Sequence, residues 1–314
     1  MLTKLREAVS ANPMPLVVEA ASKIILGKNG ELRLALACML ARGHLLIEDV
    51  PGVGKTTLSH LLARLLGLQY SRVQFTSDML PADVIGVSVY ERVSERFRFH
   101  PGPVFSQVVL ADEINRATPK AQSALLEAME ERQVTAEGET RPLPEPFFVI
   151  ATQNPTYQVG TFPLPESQLD RFLMRIELGY PAAEQEKALL AGADRRQMLA
   201  DVEPALSPRA LIAAQRRVDQ VYVAPPIVDY CYAILSFTRS SERFQHGLSP
   251  RAGLALIRAA KAWALMADRD FVLPEDVRHV LPAVVSHRLI AGDDNNPNGH
   301  AEIAEYLLSA VPVP

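Results

Sequence analysis

The sequence holds only two cysteines in 314 residues, Cys38 and Cys231. They stand far apart, each in an apolar run, which argues against a disulfide or a cysteine-bound metal and for reduced, buried thiols. That usage points to the cytoplasm. Long hydrophobic runs are missing too: no stretch approaches the roughly 20 apolar residues a membrane helix needs, and residues 1–15 lack a signal peptide's apolar core of roughly 7 to 15 residues. No membrane insertion is expected. The seven histidines include no pair spaced as metal ligands, and His44 reads as structural. Excess charge is small: 32 Lys and Arg face 36 Asp and Glu, a formal net charge of −4. The whole-chain field therefore gives no attraction for nucleic acid or anionic membrane. Arg92, Arg96 and Arg98 form a local basic run, but Glu91 and Glu95 interleave it and it reads as a solvated surface. Internal repeats and low-complexity tracts are absent, and 293–298 is only a short polar loop.

What is present suits a globular chain: 48% hydrophobic and 22% charged residues. The length favours two domains, since single cores stop growing near roughly 250 to 300 residues. In the first half, short β-rich runs at 45–48, 71–75, 108–111, 147–151 and 174–178 alternate with helical patterns. That alternation predicts an α/β fold, a parallel sheet covered by helices on both faces. Segments 87–91 with 97–100, and 133–143 around Glu137-Gly138-Glu139, read as inserted β-hairpins. After Tyr180-Pro181 amphipathic helical stretches take over at 182–200, 207–221, 225–240, 249–267, 274–289 and 299–310. The division is thus an αβα domain over 1–181 and an all-α domain over 182–314. Ser207-Pro208 and Ser249-Pro250 each place a serine cap before a proline suited to a first helical position. Trp263 and Phe271 sit among apolar residues and read as core of the helical domain.

Residues 45–57 read as strand, glycine loop, then helix. Pro51-Gly52-Val53-Gly54-Lys55-Thr56-Thr57 is a P-loop pattern, in which backbone N–H groups wrap phosphates at a helix N-terminus. Lys55 would reach the β- and γ-phosphates and Thr56 would ligate Mg²⁺. The strict pattern has Gly six residues before the lysine, where this chain has Asp49. Further on, Val108-Val109-Leu110-Ala111 leads into Asp112-Glu113. Alternation along the strand would aim the two carboxylates differently, Asp112 toward Mg²⁺ and Glu113 toward the attacking water as base.

Asp112-Glu113-Ile114-Asn115-Arg116-Ala117, then Leu125-Leu126-Glu127-Ala128-Met129-Glu130-Glu131-Arg132, Ala151-Thr152-Gln153-Asn154-Pro155 and Leu169-Asp170-Arg171-Phe172, closely resemble the MoxR-type AAA+ ATPases. The likeness runs from about Ile25 to Val280. It implies an AAA+ domain followed by a helical lid, with ATP and Mg²⁺ bound and ATP hydrolysed between domain and lid. Asn154 corresponds to sensor 1, which holds the attacking water with a donor and an acceptor. Arg171 corresponds to an arginine finger reaching the γ-phosphate in a neighbouring subunit, and Arg251 to sensor 2, delivered by the capped helix to the bound nucleotide. Ser207-Pro208-Arg209 has the same local form, but Arg251 lies on the later helix with Ala252 to Trp263 packing behind it. Ile25-Leu26-Gly27-Lys28 would wall the adenine, with Ile25 and Gly27 in contact; relatives usually have Gln where Lys28 stands. The first hairpin corresponds to an insert that faces the pore of such assemblies, a candidate partner contact. The resemblance also implies a homo-oligomer, a hexamer by family habit, acting as a chaperone on a protein client such as a von Willebrand A-domain protein. A monomeric P-loop kinase or GTPase would need neither Asn154, Arg171 nor Arg251 in this arrangement, and no Asn-Lys-x-Asp guanine motif occurs. A scaffold without turnover would have no use for Lys55, Asp112, Glu113 and Asn154 together.

Overall fold

The computed structural model describes residues 13–154, 162–192, 195–290 and 299–313. Pro155 and the polar segment 293–298 lie outside them. The strands are β1 Leu45–Glu48, β2 Tyr70–Gln74, β3 Gly86–Glu91, β4 Arg96–Pro101, β5 Val108–Asp112, β6 Gln133–Ala136, β7 Glu139–Pro142, β8 Phe148–Gln153 and β9 Met174–Ile176. The helices, in chain order, begin with α1 Met14–Ser22, α2 Asn29–Leu40, α3 Lys55–Leu65, α4 Pro81–Ile85, α5 Pro119–Glu131 and α6 Glu166–Leu169. They continue with α7 Ala183–Ala191, α8 Arg195–Ala200, α9 Pro208–Gln220, α10 Pro225–Ser240, α11 Pro250–Met266, α12 Pro274–Val285 and α13 Gly299–Ala310.

Five strands form one sheet in the order β2-β5-β8-β1-β9, every pairing parallel. Parallel sheets are stable only when covered on both faces. Accordingly Val108, Val109, Leu110 and Ala111 of β5 are all fully buried, each large side chain contributing about 1.5 to 3 kcal/mol of burial. Because the strands are parallel, Glu48, Gln74, Asp112 and Gln153 all end at one edge, the edge where such sheets place ligands.

Two apolar layers flank the sheet. One joins Leu46, Val109, Ala111 and Val149 to the buried face of α5. The other joins Leu45, Ile47, Leu110 and Ile150 to α1, α2 and α3 and runs without a break into α9 through α13. The lid therefore shares the core of the α/β part. Its helix α11 carries Ala252, Gly253, Ala255, Ala259, Ala260, Ala262 and Ala264, small residues that let α12 and α2 pack closely against it. Ser207 Oγ accepts from Ala210 N at 3.2 Å, and Ser249 Oγ from Ala252 N at 3.1 Å, caps worth about 1 kcal/mol each.

The structure modifies several sequence expectations. The predicted helix over 182–200 is two helices, α7 and α8, and the one over 274–289 ends at Val285. Phe271 is 45% exposed, where a core position was expected. It forms a lone parallel bridge with Tyr222, so its ring stands on the surface of the lid while Val272 turns inward. Trp263 is buried and stacks on His279, with the Arg33 guanidinium 4.8 Å from its ring centre. Both cysteines are buried and free. The two hairpins form as expected; β6 and β7 close through Glu137-Gly138, both at positive φ, the backbone a two-residue turn requires. The hairpins also touch each other, with Ser88 N donating to Glu137 at 3.4 Å and Arg141 over the Phe99 ring at 4.0 Å.

Candidate active site

The loop after β1 turns sharply at Gly52 and Gly54, with φ of 89° and 97°, values that a side chain would strain. Gly54 thereby leads straight into α3, whose first residue is Lys55. Thr56 and Thr57 follow in the first turn, and Pro51, Gly52 and Val53 form the loop crest. The N-terminal amides of α3 and its positive dipole end face this loop, an anion site by construction.

Asp49 fills the place of the missing glycine by anchoring the loop. Its carboxylate accepts from Val50 N at 2.8 Å and from Leu178 N and Gly179 N, just beyond β9, at 2.7 and 2.6 Å. Its carbonyl oxygen accepts from Lys55 Nζ. Lys28 Nζ in turn donates to Tyr180 O at 3.2 Å, which ties the 25–28 segment to the same exit of β9. Gly27 has φ +72°, and a Cβ there would lie 3.0 Å from Gln185 Cγ, so Gln185 packs closely over Gly27.

Lys55 is only 8% exposed, and its Nζ also donates to Asn154 Oδ1 at 3.2 Å. Burial pushes the Lys55 ammonium below its ordinary range, against the pull of Asp49, Asp112, Glu113 and Glu48. Asn154 bridges lysine and glutamate: its Nδ2 donates to Glu113 Oε1 at 3.3 Å. The structure thus brings Lys55, Asn154 and Glu113 into one chain of contacts.

Asp112 and Glu113 diverge for a reason other than the expected strand alternation. β5 ends at Asp112, and Glu113 takes a left-handed backbone with φ 55°. Two residues that sequence reasoning passed over build this turn. Thr152 Oγ1 accepts from Glu113 N at 2.9 Å and donates to Asp112 Oδ1 at 2.6 Å. Arg72 of β2 holds Asp112 Oδ2 through Nε and Nη2 at 3.1 and 2.7 Å. A third, Arg116, pairs with Glu113 at 2.8 Å. In the strand register Arg72 pairs with Leu110, two residues before Asp112, and only its side chain reaching along β5 to the carboxylate exposes its role; no spacing in the sequence signals it.

Arg171 and Arg251 lie elsewhere. Arg171 precedes β9, whose first residue Met174 pairs with Leu45, the first residue of β1. The P-loop follows the other end of β1. Arg251 Nη2 donates to Glu130 Oε1 at 2.7 Å, and Arg171 Nε lies 3.9 Å from Glu130 Oε2. Glu130 is in the last turn of α5, whose 13 residues span about 20 Å from the Asp112-Glu113 edge. Within one chain Arg251 does not reach the phosphate loop: α11 docks against α2, and its N-terminus meets the opposite edge of the sheet. Arg251 and Arg171 line one cavity of about 290 Å³ there, remote from Lys55.

Comparison with known proteins gives the family. The model of the ATPase family associated with various cellular activities (AAA) matches residues 44–174, and that of the AAA lid domain matches 236–306. The chain is 44% identical to YeaC of Bacillus subtilis (strain 168) over 299 residues, 95% of this chain and 93% of that protein. It is 40% identical over 294 residues to Chaperone MoxR1 of Mycobacterium tuberculosis, 90% of this chain and 77% of that protein. The crystal structure of a "putative ATPase" from Cytophaga hutchinsonii superposes with a TM-score of 0.87 at 35% identity, covering 100% of this chain and 99% of its own.

Proposed function

The chain belongs to the MoxR family of AAA+ ATPases, and from that premise we propose that its ATP hydrolysis is magnesium-dependent, is completed between subunits of a hexamer, and drives remodelling of a protein client. The observation that carries this reading is the separation of functional groups within one chain. Lys55, Asn154 and Glu113 stand at one edge of the sheet and Arg171 and Arg251 at the other. A chain cannot close that gap on itself; a neighbour presenting its opposite edge can.

In the assembled site Lys55 and the 51–57 segment hold the phosphates, with Ile25 and Gly27 on the adenine side. Thr56 and Asp112 would hold Mg²⁺, oxygen donors of the hard type it prefers. Among the described residues no group of three or more His, Cys, Asp or Glu could hold a metal unaided, so phosphate oxygens would complete its shell, and the ion would neutralise phosphate charge. Asn154 orients the water, and Glu113 accepts its proton as the oxygen bonds to the γ-phosphorus and the β–γ bridge bond breaks. Arg171 and Arg251 of the adjacent subunit meet the charge that develops on the γ-phosphoryl group, a contribution of about 10³ to 10⁵ in rate for such fingers.

The division at 181/182 assigns the αβα part to nucleotide binding and the helical part to delivery of Arg251. The coupled hairpins present Tyr90, Val93 and Phe97, which are 50%, 102% and 74% exposed. Apolar groups so placed suit transient contact with a polypeptide, and the mycobacterial relative's name, a chaperone, supports a protein client, a von Willebrand A-domain protein among the candidates. No helix among the described residues is long and apolar enough to cross a membrane, which fits work in the cytoplasm.

The test is ATP turnover per subunit across a wide range of protein concentration at saturating Mg²⁺. Specific activity should climb with concentration; a flat, substantial activity from a monomer would overturn the shared site.

A further inference from the structure

We propose that Glu130 is the positioning residue for both cations of the shared site, a role that rests on the in-trans reading above. Its carboxylate meets both Arg251, from the lid, and Arg171, from the α/β part, at 2.7 and 3.9 Å. One oxygen serves each guanidinium, so the two side chains converge on the same point.

The surroundings make this carboxylate necessary. The cavity at this edge is lined by Arg42, Arg132, Arg171, Arg251, Arg258 and Arg288, against the acids Glu130 and Asp170. Asp170 is already engaged: Arg288 donates to it at 2.7 Å and Ser249 at 3.2 Å. Those contacts fasten the lid to the α/β part without help from Glu130. What remains for Glu130 is to offset the mutual repulsion of Arg171 and Arg251. Its own place speaks for a specific task, because a carboxylate in the last turn of a helix is opposed by the helix dipole unless cations answer it. Arg251 remains 49% exposed and Arg171 29% along their side chains, so both can still meet an incoming phosphate.

The experiment uses the full chain with Glu130→Gln, which keeps the shape and removes the charge. Turnover should fall about ten- to a hundredfold, the loss of one charge-assisted contact, while KM for ATP moves little, since the subunit's own Lys55 and phosphate loop are untouched. Equal mixing of Glu130→Gln with Glu113→Gln subunits should restore activity: the first brings an intact Glu113, the second correctly held arginines. A merely destabilised Glu130→Gln chain could not contribute in this way. Should the neutral variant unfold, Glu130→Asp carries the same expectation, because its shorter arm keeps the charge but cannot span both guanidiniums. Unchanged or raised turnover in a folded Glu130 variant would overturn the proposal, as would failure of its mixture under conditions where Arg171→Ala with Glu113→Gln recovers. Failure of that Arg171→Ala mixture as well would instead remove the shared-site reading.

Discussion

Thr152→Val is the most informative single substitution at the hydrolytic end. Valine keeps the branched shape that suits a central strand, and position 152 is fully buried, so nothing but the hydroxyl changes. That hydroxyl performs two tasks, donating to Asp112 at 2.6 Å and accepting from Glu113 N at 2.9 Å. Losing a hydrogen bond to a carboxylate costs about 1.5 to 3 kcal/mol, and leaving a buried N–H unanswered costs about 1 to 3 kcal/mol. Allowing for partial overlap, the loss is about 2 to 4 kcal/mol, a large part of the roughly 5 to 15 kcal/mol that holds a domain folded. The melting temperature should drop by roughly 5 to 12 °C. Turnover should fall by about ten- to a hundredfold, because the left-handed backbone that aims Glu113 loses its tie. ATP binding, measured by titration with a fluorescent analogue, should stay near wild type, since Lys55 and the loop belong to other elements. A variant with wild-type melting and turnover would refute the role given to Thr152. One that melts normally but fails to bind ATP would show that the hydroxyl serves the nucleotide directly.

Three other expectations complete the picture. Glu113→Gln should bind ATP and lose turnover by at least about 10²-fold; loss of binding instead would misplace the base. Asp49→Gly restores the usual phosphate-loop glycine yet removes three acceptor contacts, so stability should fall by about 2 to 4 kcal/mol, with a raised KM; an unchanged or more stable protein in chemical denaturation would show that the anchor contributes nothing. His44 is buried, with Nδ1 accepting from Val149 N at 2.9 Å and Nε2 against Met129 O at 3.3 Å, and burial pushes its pKa down to about 4. The unfolded chain protonates near 6.5, so stability is full above that pH and declines by up to about 3 kcal/mol as pH falls from 6.5 toward 4. Melting curves of wild type against His44→Asn should diverge in slope across that window, and parallel slopes would sink the assignment.

Much of this site was legible in the sequence because its chemistry is local. The 51–57 loop, the Asp112-Glu113 pair and Asn154 each sit at the end of an apolar run, and a parallel sheet carries all such ends to one edge. The serine caps of α9 and α11 were legible for the same reason, since a cap is decided within four residues. Arg72 and Thr152 were not, because their importance comes from strand order: β2 beside β5 and β5 beside β8 place both against Asp112. Phe271 misled because an aromatic among apolar neighbours is usually core, whereas here a lone bridge to Tyr222 turns it outward.

Arg251 marks the limit of that local reading. The motif around Ser249 correctly gives a capped helix with an arginine in its first turn, but a helix can dock at either edge of a sheet and its own sequence does not say which. The decision lies in α11's alanine-rich face, which fits closely against α2, and in Asp170, which takes both Ser249 and Arg288. Once α11 is fixed there, Arg251 has Glu130 within reach and the phosphate loop out of reach. The same docking sets the polarity of the molecule. β9 is entered from the edge where Arg171 stands and leaves toward Leu178 and Gly179, whose amides hold Asp49 of the phosphate loop. One short strand thus separates the phosphate-loop end of the chain from the Arg171 end. With both ends of β9 pinned, the two ends face opposite ways, which is what the proposed shared site needs of each subunit.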